Sequence, residues 1–320
     1  MKSFWLSLLL CTWIWADAHI FVYHRFGDSR YPSTNTTLEA LRQDFTYFKE
    51  HHYTVVPLSK LVQALKAKEP IPDNWVVLTI DDNYKSFFQN GLALFKEFGY
   101  PFSMFVYVEA TEQKYGDFMS WDELKETSKY GELEFHSMRH PHMTALSDEA
   151  LKQDFDEGLA LFEKHLNQKP HFFSYPFGEF SPRVKAIAQS YGFEAILNQN
   201  MGAVASFSDV YDLDRSALVG KSDLPNFLKY KALNATWNEP LFLGKDSKVS
   251  HLHVNTTGIE AKKGGIYISG HGYREITLNE GTFETDLNTV LTQERSRILV
   301  SIGNKISTKL LVKDIYSKQH

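Results

Sequence analysis

The sequence predicts an α/β fold, with βα units around a parallel sheet or barrel and a small all-β module after it. From residue 20 to residue 197, short apolar segments alternate with segments whose apolar residues recur at helical spacing. After about Trp237 the pattern changes to short strand-like segments separated by Gly, Asn and Thr. We therefore expect a large domain over residues 19–237 and a β-rich module of unknown role over residues 238–320.

The strands and helices of the large domain are predicted to follow each other in regular alternation. Strands are expected at residues 20–24, 53–57, 76–80, 102–108, 133–136, 171–175 and 193–197. Helices are expected at residues 38–49, 59–66, 87–98, 121–130, from 147 onward, and at 182–191. In the small module, strands are expected at residues 249–254, 265–269, 298–302 and 309–312.

Composition narrows the possible functions. The 320 residues are 43% hydrophobic and 14% aromatic, which is enough to bury a large core. The formal net charge of −5 provides no basic surface, so a nucleic acid is not an expected partner.

The N-terminus has the pattern of a secretory signal peptide over residues 1–18. Lys2 is followed by an apolar run from Phe4 to Trp15, and Ala16-Asp17-Ala18 matches a cleavage site for small residues. Cleavage there would leave His19 first, and we expect export to the periplasm or the cell exterior. The one cysteine, Cys11, lies in this segment, so the exported chain would have no disulfide. No later apolar run is long enough to span a bilayer.

The most informative stretch is an apolar run, residues 76–80, that leads into Asp81, Asp82 and Asn83. Such a run is typical of a strand buried on both faces of a parallel sheet. Two carboxylates at its end would be costly in a core but suit the mouth of a barrel, where catalytic groups gather. Asn83 permits a turn there, because Asn tolerates left-handed backbone. An isolated pair of this kind is more often a solvated loop.

The second stretch holds two histidines at the end of another predicted strand. His136 and His140 are four residues apart where the chain must turn before the next helix. Two imidazoles and one carboxylate form a three-ligand set that leaves a divalent metal an open position for water, as in catalytic sites. On their own, two histidines at this spacing are more often ordinary loop polarity, and we assign His142 to that role.

The third stretch is Ser174-Tyr175-Pro176-Phe177-Gly178, also at a strand end. The proline and glycine on either side of an aromatic residue favour a tight turn. A tight turn can expose an amide N–H to an oxyanion, although this turn by itself indicates only a loop.

In this order, the three stretches resemble the polysaccharide deacetylase (NodB-homology) family, carbohydrate esterase family 4. The residues that carry the resemblance are Thr79-Ile80-Asp81-Asp82, His136-Ser137-x-x-His140-Pro141 and Tyr175-Pro176-Phe177-Gly178. The resemblance covers roughly residues 19–220. Val22-Tyr23-His24 and Leu213-Asp214-Arg215 are similar to the poly-N-acetylglucosamine deacetylase branch. The resemblance implies a distorted (β/α) barrel with a divalent metal, most often Zn²⁺, held by Asp82, His136 and His140.

The resemblance also implies catalytic roles. Asp81 would be the general base, His24 the general acid, and the backbone of Phe177 a donor to the oxyanion. The sequence departs from the family at Ser174, where many members have an arginine that braces the catalytic aspartate. Arg215 is a candidate for the missing brace.

The leading hypothesis is a metal-dependent N-deacetylase acting on an acetylated polysaccharide that contains N-acetylhexosamine. An O-acetyl esterase on a decorated glycan and an inactive glycan-binding protein are the alternatives. A copper site at His19 is a further alternative, but the sequence offers no matching partner motif. Because the β module supplies none of the candidate ligands, we expect the module to be separable from the chemistry.

Overall fold

A computed structural model describes residues 17–220 and 222–317. Most of the predicted signal peptide, residues 1–16, lies outside the described residues. Within the described ranges, no helix is long and apolar enough to cross a membrane.

The large domain alternates strands and helices much as the sequence predicts. Its strands are β1 (His19–Tyr23), β2 (Arg25–Phe26), β3 (Asn35–Thr36), β4 (Thr54–Val55), β5 (Trp75–Asp81), β6 (Ser103–Val106), β7 (Glu132–Phe135), β8 (Phe172–Ser174), β9 (Ala195–Leu197) and β10 (Ser216–Ala217). Its helices are α1 (Leu38–Glu50), α2 (Leu58–Lys66), α3 (Leu92–Phe98), α4 (Val108–Glu112), α5 (Trp121–Thr127), α6 (Asp148–Leu166), α7 (Pro182–Ser190) and α8 (Leu224–Phe227).

One parallel sheet organises this domain, with the strand order β10-β1-β5-β6-β7-β8-β9 and β4 beside β5. A parallel bridge between Leu197 and Leu213 joins β9 to the segment that leads into β10, which pairs with β1. The sheet therefore curls back on itself as a distorted (β/α) barrel, and the predicted fold class is confirmed. Because all of these strands are parallel, their C-terminal ends meet at one mouth.

Aromatic side chains fill the space between the sheet and the helices. Phe45 of α1 and Phe95 of α3 pack edge to face, with ring centroids 4.8 Å apart. Tyr23 and Phe26 are fully buried in the same cluster. The hydroxyl of Tyr23 donates to Asp44 at 3.0 Å, which satisfies this buried polar group.

The helix predicted at residues 87–98 is not continuous. A π-helical turn at Phe87–Gly91 precedes α3. A Cβ on Gly91 would lie 2.8 Å from Cγ of Phe26 and 2.9 Å from Cδ2 of Phe87. Only glycine allows the turn to approach these rings so closely. The spacing of apolar residues, from which the continuous helix was predicted, gives no indication of such a π-helical turn.

The C-terminal region folds as two packed β-sheets. Its strands are β11 (Lys231–Ala232), β12 (Ala235–Glu239), β13 (Lys248–Thr256), β14 (Lys263–Ile268), β15 (Gly272–Thr277), β16 (Phe283–Val290), β17 (Ser296–Ile302) and β18 (Lys305–Leu311). The sheets have the orders β11-β18-β17-β14-β15 and β12-β13-β16, and residues from both share one apolar core. The prediction missed the short β11, as well as β12, β15 and β16, whose largely exposed and polar residues leave no apolar run.

The C-terminal sheets contact the barrel through buried polar groups. Asp314 accepts a hydrogen bond from Ser181 and lies 3.1 Å from Nε of Arg183. The amide of Leu310 donates to Oδ1 of Asn200, which follows β9. The first strand of these sheets, β11, begins at Lys231. The division of the chain at residue 237 stays a prediction.

Candidate active site and metal centre

The acidic pair lies at the mouth of the barrel, at the end of β5. Asp82 and Asn83 have φ angles of 71° and 38°, so the chain turns sharply after Asp81. The side chain of Asn83 fixes this turn, since it donates to Oγ1 of Thr111 at 2.9 Å and accepts from the amide of Tyr107 at 2.7 Å. The turn lets two adjacent carboxylates serve one site, although neighbouring strand residues normally point to opposite faces.

Asp82, His136 and His140 are brought together as a three-ligand cluster. One ligand atom from each residue lies within 4.8 Å of the other two. Oδ1 of Asp82 is 3.2 Å from Nε2 of His140 and 3.5 Å from Nε2 of His136. His136 directly follows β7, and left-handed backbone at Ser137 and His140 folds the second imidazole back over the first.

The environment of His136 favours metal binding. Nδ1 of this buried imidazole lies 2.7 Å from the carbonyl oxygen of Ser174, an acceptor only, so Nδ1 carries the proton and Nε2 presents its lone pair. Burial lowers the pKa of His136 to about 4, which keeps the ring neutral. Oδ1 of Asp82 is buried and has no hydrogen-bond donor among the described residues. An unsatisfied carboxylate oxygen facing an imidazole lone pair fits a divalent cation.

The charges of this cluster are strongly coupled. Burial by itself would raise the pKa of Asp82, but the nearby His140 and then His136 bring it well below its usual range. For His140, burial acts to lower the pKa, yet the Asp82 carboxylate reverses this and the pKa is raised. Without a cation, a proton on His140 therefore balances the charge of Asp82.

Asp81 is fully buried and held from several sides. Arg215 donates from Nη1 to Oδ1 and from Nη2 to Oδ2, each at 2.8 Å. Gln199 donates from Nε2 to Oδ2 at 3.2 Å, and Oγ of Ser174 lies 3.4 Å from the same oxygen. Burial would raise the pKa of Asp81, but the charges of Arg215 and His136 bring it below its usual range. The carboxylate is therefore ionised and fixed in orientation.

Arg215 reaches Asp81 because of the way the barrel closes. It lies directly before β10, in the segment that joins the last strand of the sheet to the first. Its side chain is fully buried, and its remaining donors bond Oγ1 of Thr79, the carbonyl of Asn198 and Oγ of Ser174. Arginine at residue 215 and serine at residue 174 together occupy the space beside Asp81.

His24 follows β1 and is half-buried at the same mouth. Its Nδ1 is buried without a hydrogen-bond partner among the residues described. His24 lies close enough to Asp81 and Asp82 to contribute to the lowered pKa of both carboxyl groups. By contrast, His19 lies at the N-terminal end of β1, away from the mouth, and is 2% exposed.

Phe177 also lies at the mouth of the barrel, beside His140, and the residues around this mouth are called the rim below. Its φ of 59° is left-handed, which is unusual for an aromatic residue. Its ring packs edge-on to His140 at 4.4 Å and is stacked on His142 at 4.3 Å. The amides of Gly178 and Glu179 donate within the turn, whereas the amide of Phe177 makes no hydrogen bond to any other described residue.

Sequence reasoning overlooked several residues of this rim. His142 was expected to be ordinary loop polarity, but its Nδ1 lies 2.7 Å from Oε2 of the buried Glu179. Gln199, which contacts Asp81, follows β9 in a stretch with no motif. A polar residue at the end of each predicted parallel strand was the available signal for Gln199.

The fold agrees with that of solved deacetylases. The Streptococcus pyogenes deacetylase PplD, solved in complex with acetate, superposes with a TM-score of 0.62 and 18% identity. The match covers 67% of this chain and 97% of PplD. At this identity the likeness concerns the fold, and it defines the protein as a (β/α) barrel of the polysaccharide deacetylase type.

Residues 68–196 match the family model described as polysaccharide deacetylase. This match lies within the residues that carry the predicted resemblance to carbohydrate esterase family 4, and that resemblance is confirmed. The chain is 21% identical over 206 residues to YxkH of Bacillus subtilis, a protein named as a polysaccharide deacetylase, covering 62% of this chain and 71% of YxkH. It is 29% identical over 116 residues to the poly-beta-1,6-N-acetyl-D-glucosamine N-deacetylase of Escherichia coli K12. That match covers 32% of this chain and 17% of the Escherichia coli protein.

Proposed function

We propose that the protein is an exported, metal-dependent polysaccharide deacetylase that hydrolyses N-acetyl groups of a glycan containing N-acetylhexosamine. The observation that carries the proposal is the pairing of two differently held carboxylates at one mouth. Asp82 faces two imidazoles, whereas Asp81 is held by Arg215 and belongs to no group of three potential metal ligands among the described residues. Adjacent acids in such different surroundings suit two different tasks.

The first task is metal binding by Asp82, His136 and His140, for which Zn²⁺ is the simplest occupant because two imidazoles and a carboxylate are ligands it favours. Bound there, the cation would supply Lewis acidity toward the acetyl carbonyl and toward a water molecule. The hydrogen bond from Nδ1 of His136 to Ser174 orients the ring for this purpose.

The second task is proton transfer by Asp81. Its pKa is held below the usual carboxyl range, so the side chain is ionised and able to accept a proton near neutral pH. Arg215 and Gln199 fix the direction of the carboxylate. Asp81 takes the proton of the attacking water, and Arg215 holds the carboxyl group in place.

The remaining groups stabilise the tetrahedral state and the departing amine. The amide of Phe177, which has no partner among the described residues, donates to the oxyanion. An amine leaves poorly unless it is protonated, so His24 donates a proton to the leaving nitrogen. In this scheme water adds to the carbonyl carbon, the carbon–nitrogen bond breaks, and acetate and a free amine result.

Two features support the substrate and its location. The relative from Escherichia coli is named for N-deacetylation of poly-beta-1,6-N-acetyl-D-glucosamine, and this chain shares 116 aligned residues with that relative. The signal-peptide pattern of residues 1–18 favours export, where an acetylated exopolysaccharide or cell-wall glycan would be met.

The test is to incubate the purified protein, loaded with Zn²⁺, with oligomers of poly-N-acetylglucosamine, chitin and peptidoglycan. Acetate and free amines are measured on the same samples. We expect both to appear in equal amounts and to vanish after chelation. Acetate without new amines, from an O-acetylated glycan, would indicate an esterase instead. Binding of the glycans with no acetate release would indicate an inactive glycan-binding protein.

A further inference from the structure

Two arginines of the C-terminal sheets extend toward the mouth of the barrel and have no part in the scheme above. Arg295 lies directly before β17 and Arg297 lies within it. Arg295 donates from Nη2 to the carbonyl oxygen of Phe177, and its Nε is 3.1 Å from Oε1 of Glu179. One side chain from the β-rich region therefore donates a hydrogen bond to Phe177, which carries the candidate oxyanion donor, and forms an ion pair with Glu179 at the end of the same turn.

This turn needs outside support. The left-handed backbone of Phe177 is energetically unfavourable for a residue other than glycine, and such strain persists only where the surroundings hold it. Gly178 is also left-handed, and a Cβ there would lie 2.6 Å from the backbone nitrogen of Gln199. Arg295 stabilises the turn with a hydrogen bond to the carbonyl of Phe177, the strained residue itself.

The contact continues along the rim. Glu179, which pairs with Arg295, also contacts His142, and His142 stacks on the ring of Phe177. Arg295, Glu179, His142 and Phe177 thus form a closed ring of contacts. The ring of Phe177 in turn packs against the metal-ligand candidate His140.

A second, weaker contact also joins the β-rich region to the candidate active site. Arg297 donates to the backbone carbonyl of Gln199 at 3.4 Å, and Gln199 donates to Asp81 at 3.2 Å. The amide of Leu310 and the hydroxyl of Thr308, both in β18, bind the same loop after β9. The β-rich region therefore contacts the loops on either side of the reacting groups.

We propose that Arg295 is a positioning residue that holds the Phe177 turn in its reactive geometry, which makes the β-rich region part of the catalytic unit. The proposal rests on the proposed function in that the turn is assumed to serve the deacetylation. It replaces the expectation that the β module is separable from the chemistry. The module supplies no candidate metal ligand, but Arg295 contributes in another way, because it binds a backbone carbonyl of the barrel.

The experiment compares Arg295→Ala with Arg274→Ala in the full chain. Arg274 is an exposed arginine of β15 in the same sheet as β17, so its loss controls for removing a positive charge from the region. Hydrogen exchange reports directly on the turn, because the amides of Gly178 and Glu179 donate to the carbonyls of Tyr175 and Pro176. Turnover is measured on the substrate that the wild-type protein cleaves best.

In Arg295→Ala we expect faster exchange at Gly178 and Glu179 with unchanged exchange in β17. We also expect kcat to fall about ten- to a hundredfold while KM changes much less, as for a misplaced reacting group. Millimolar guanidinium should restore part of the lost turnover, which a role confined to stability would not allow. Arg274→Ala should match the wild type in both measurements. If Arg295→Ala does not fold, Arg295→Lys, which keeps the charge facing Glu179, is compared in its place.

Wild-type exchange in the turn of the folded variant would overturn the proposal, and so would a wild-type kcat. If the wild-type protein releases no acetate from any substrate, the proposed function fails. The exchange comparison still decides in that case whether Arg295 holds the turn.

Discussion

Arg215 donates hydrogen bonds to both carboxylate oxygens of Asp81, each at 2.8 Å, although the two residues are 134 positions apart in the chain. Both side chains are fully buried. A buried ion pair offsets the cost of desolvation only when its geometry is good and the remaining donors are satisfied. Here Thr79, Ser174 and Asn198 satisfy the other donors of the guanidinium.

Removing Arg215 alone should therefore be costly. We expect Arg215→Met to lose about 3–5 kcal/mol of unfolding free energy, because it leaves Asp81 buried and charged. The double variant with Asp81→Asn should lose much less than the sum of the single losses, since both charges are gone. Urea unfolding at neutral pH measures the three values. Arg42→Met, which removes an exposed pair with Glu97, is the control and should change stability little.

At acidic pH, the free energies of unfolding of the wild type and of Arg215→Met should differ less than they do at neutral pH. The pKa of Asp81 is depressed in the folded wild type, so the stability from the pair is present above the ordinary carboxyl range. That stability is lost as the pH falls through the depressed pKa of Asp81. Unfolding free energies measured from pH 7 down to pH 3 should converge. A constant gap over this range would contradict the assigned charge state of Asp81.

Metal binding should release about one proton. In the metal-free protein the pKa of His140 is raised by Asp82, whereas burial lowers the pKa of His136 to about 4. Between pH 6.5 and pH 5, only a proton on His140 competes with the cation. The affinity for Zn²⁺ should therefore fall about tenfold for each unit by which the pH is lowered. Titrations against a competing chelator give this slope. A slope near two, or no slope, would show that the histidines titrate differently.

His24 should matter most when the leaving group is poor. We expect His24→Ala to keep its metal, to slow amide hydrolysis severely, and to affect an activated aryl acetate less, because an aryl alcohol leaves without help from an acid. In the wild type, the rate of amide hydrolysis should decline at alkaline pH, where the general acid loses its proton. This decline should be missing in His24→Ala. Equal losses on both substrates with an unchanged profile would instead give His24 a structural role.

The sequence pointed to the metal-ligand candidates and Asp81 because they lie at or shortly after the ends of apolar strands. Parallel strands end at one mouth, so residues far apart in sequence become neighbours there without further information. Arg215 could be suggested only through the family resemblance and the serine at residue 174. Its side chain reaches Asp81 because the segment before β10 closes the sheet, a pairing that no local pattern indicates.

Other parts of the site depend on packing between distant segments. Glu179 and His142 are ordinary polar residues in the sequence, and their pairing depends on the left-handed turn at Phe177. Arg295 lies between two strands of the β-rich region, where the alternating pattern indicates only solvent exposure. The contacts of Arg295 with the barrel accompany the docking of β18 on the loop after β9, where the hydroxyl of Thr308 donates to the carbonyl of Met201 and the amide of Leu310 donates to the side chain of Asn200.

The central claim is that adjacent acids divide the work, with Asp82 binding metal and Asp81 moving a proton. Both can be changed to asparagine with little change of shape, and asparagine tolerates the left-handed backbone at residue 82. Both variants must first give wild-type circular dichroism, which excludes unfolding as the cause of any loss.

The measurement is metal content and turnover of Asp81→Asn and Asp82→Asn side by side. We predict that Asp82→Asn loses most of its bound Zn²⁺, because a charged ligand becomes neutral. We predict that Asp81→Asn keeps a full equivalent of metal and loses turnover by about a hundredfold to ten-thousandfold, the usual cost of removing a general base. If both variants keep metal and activity, or if Asp81→Asn is the one that loses metal, the assignment of the two carboxylates is wrong.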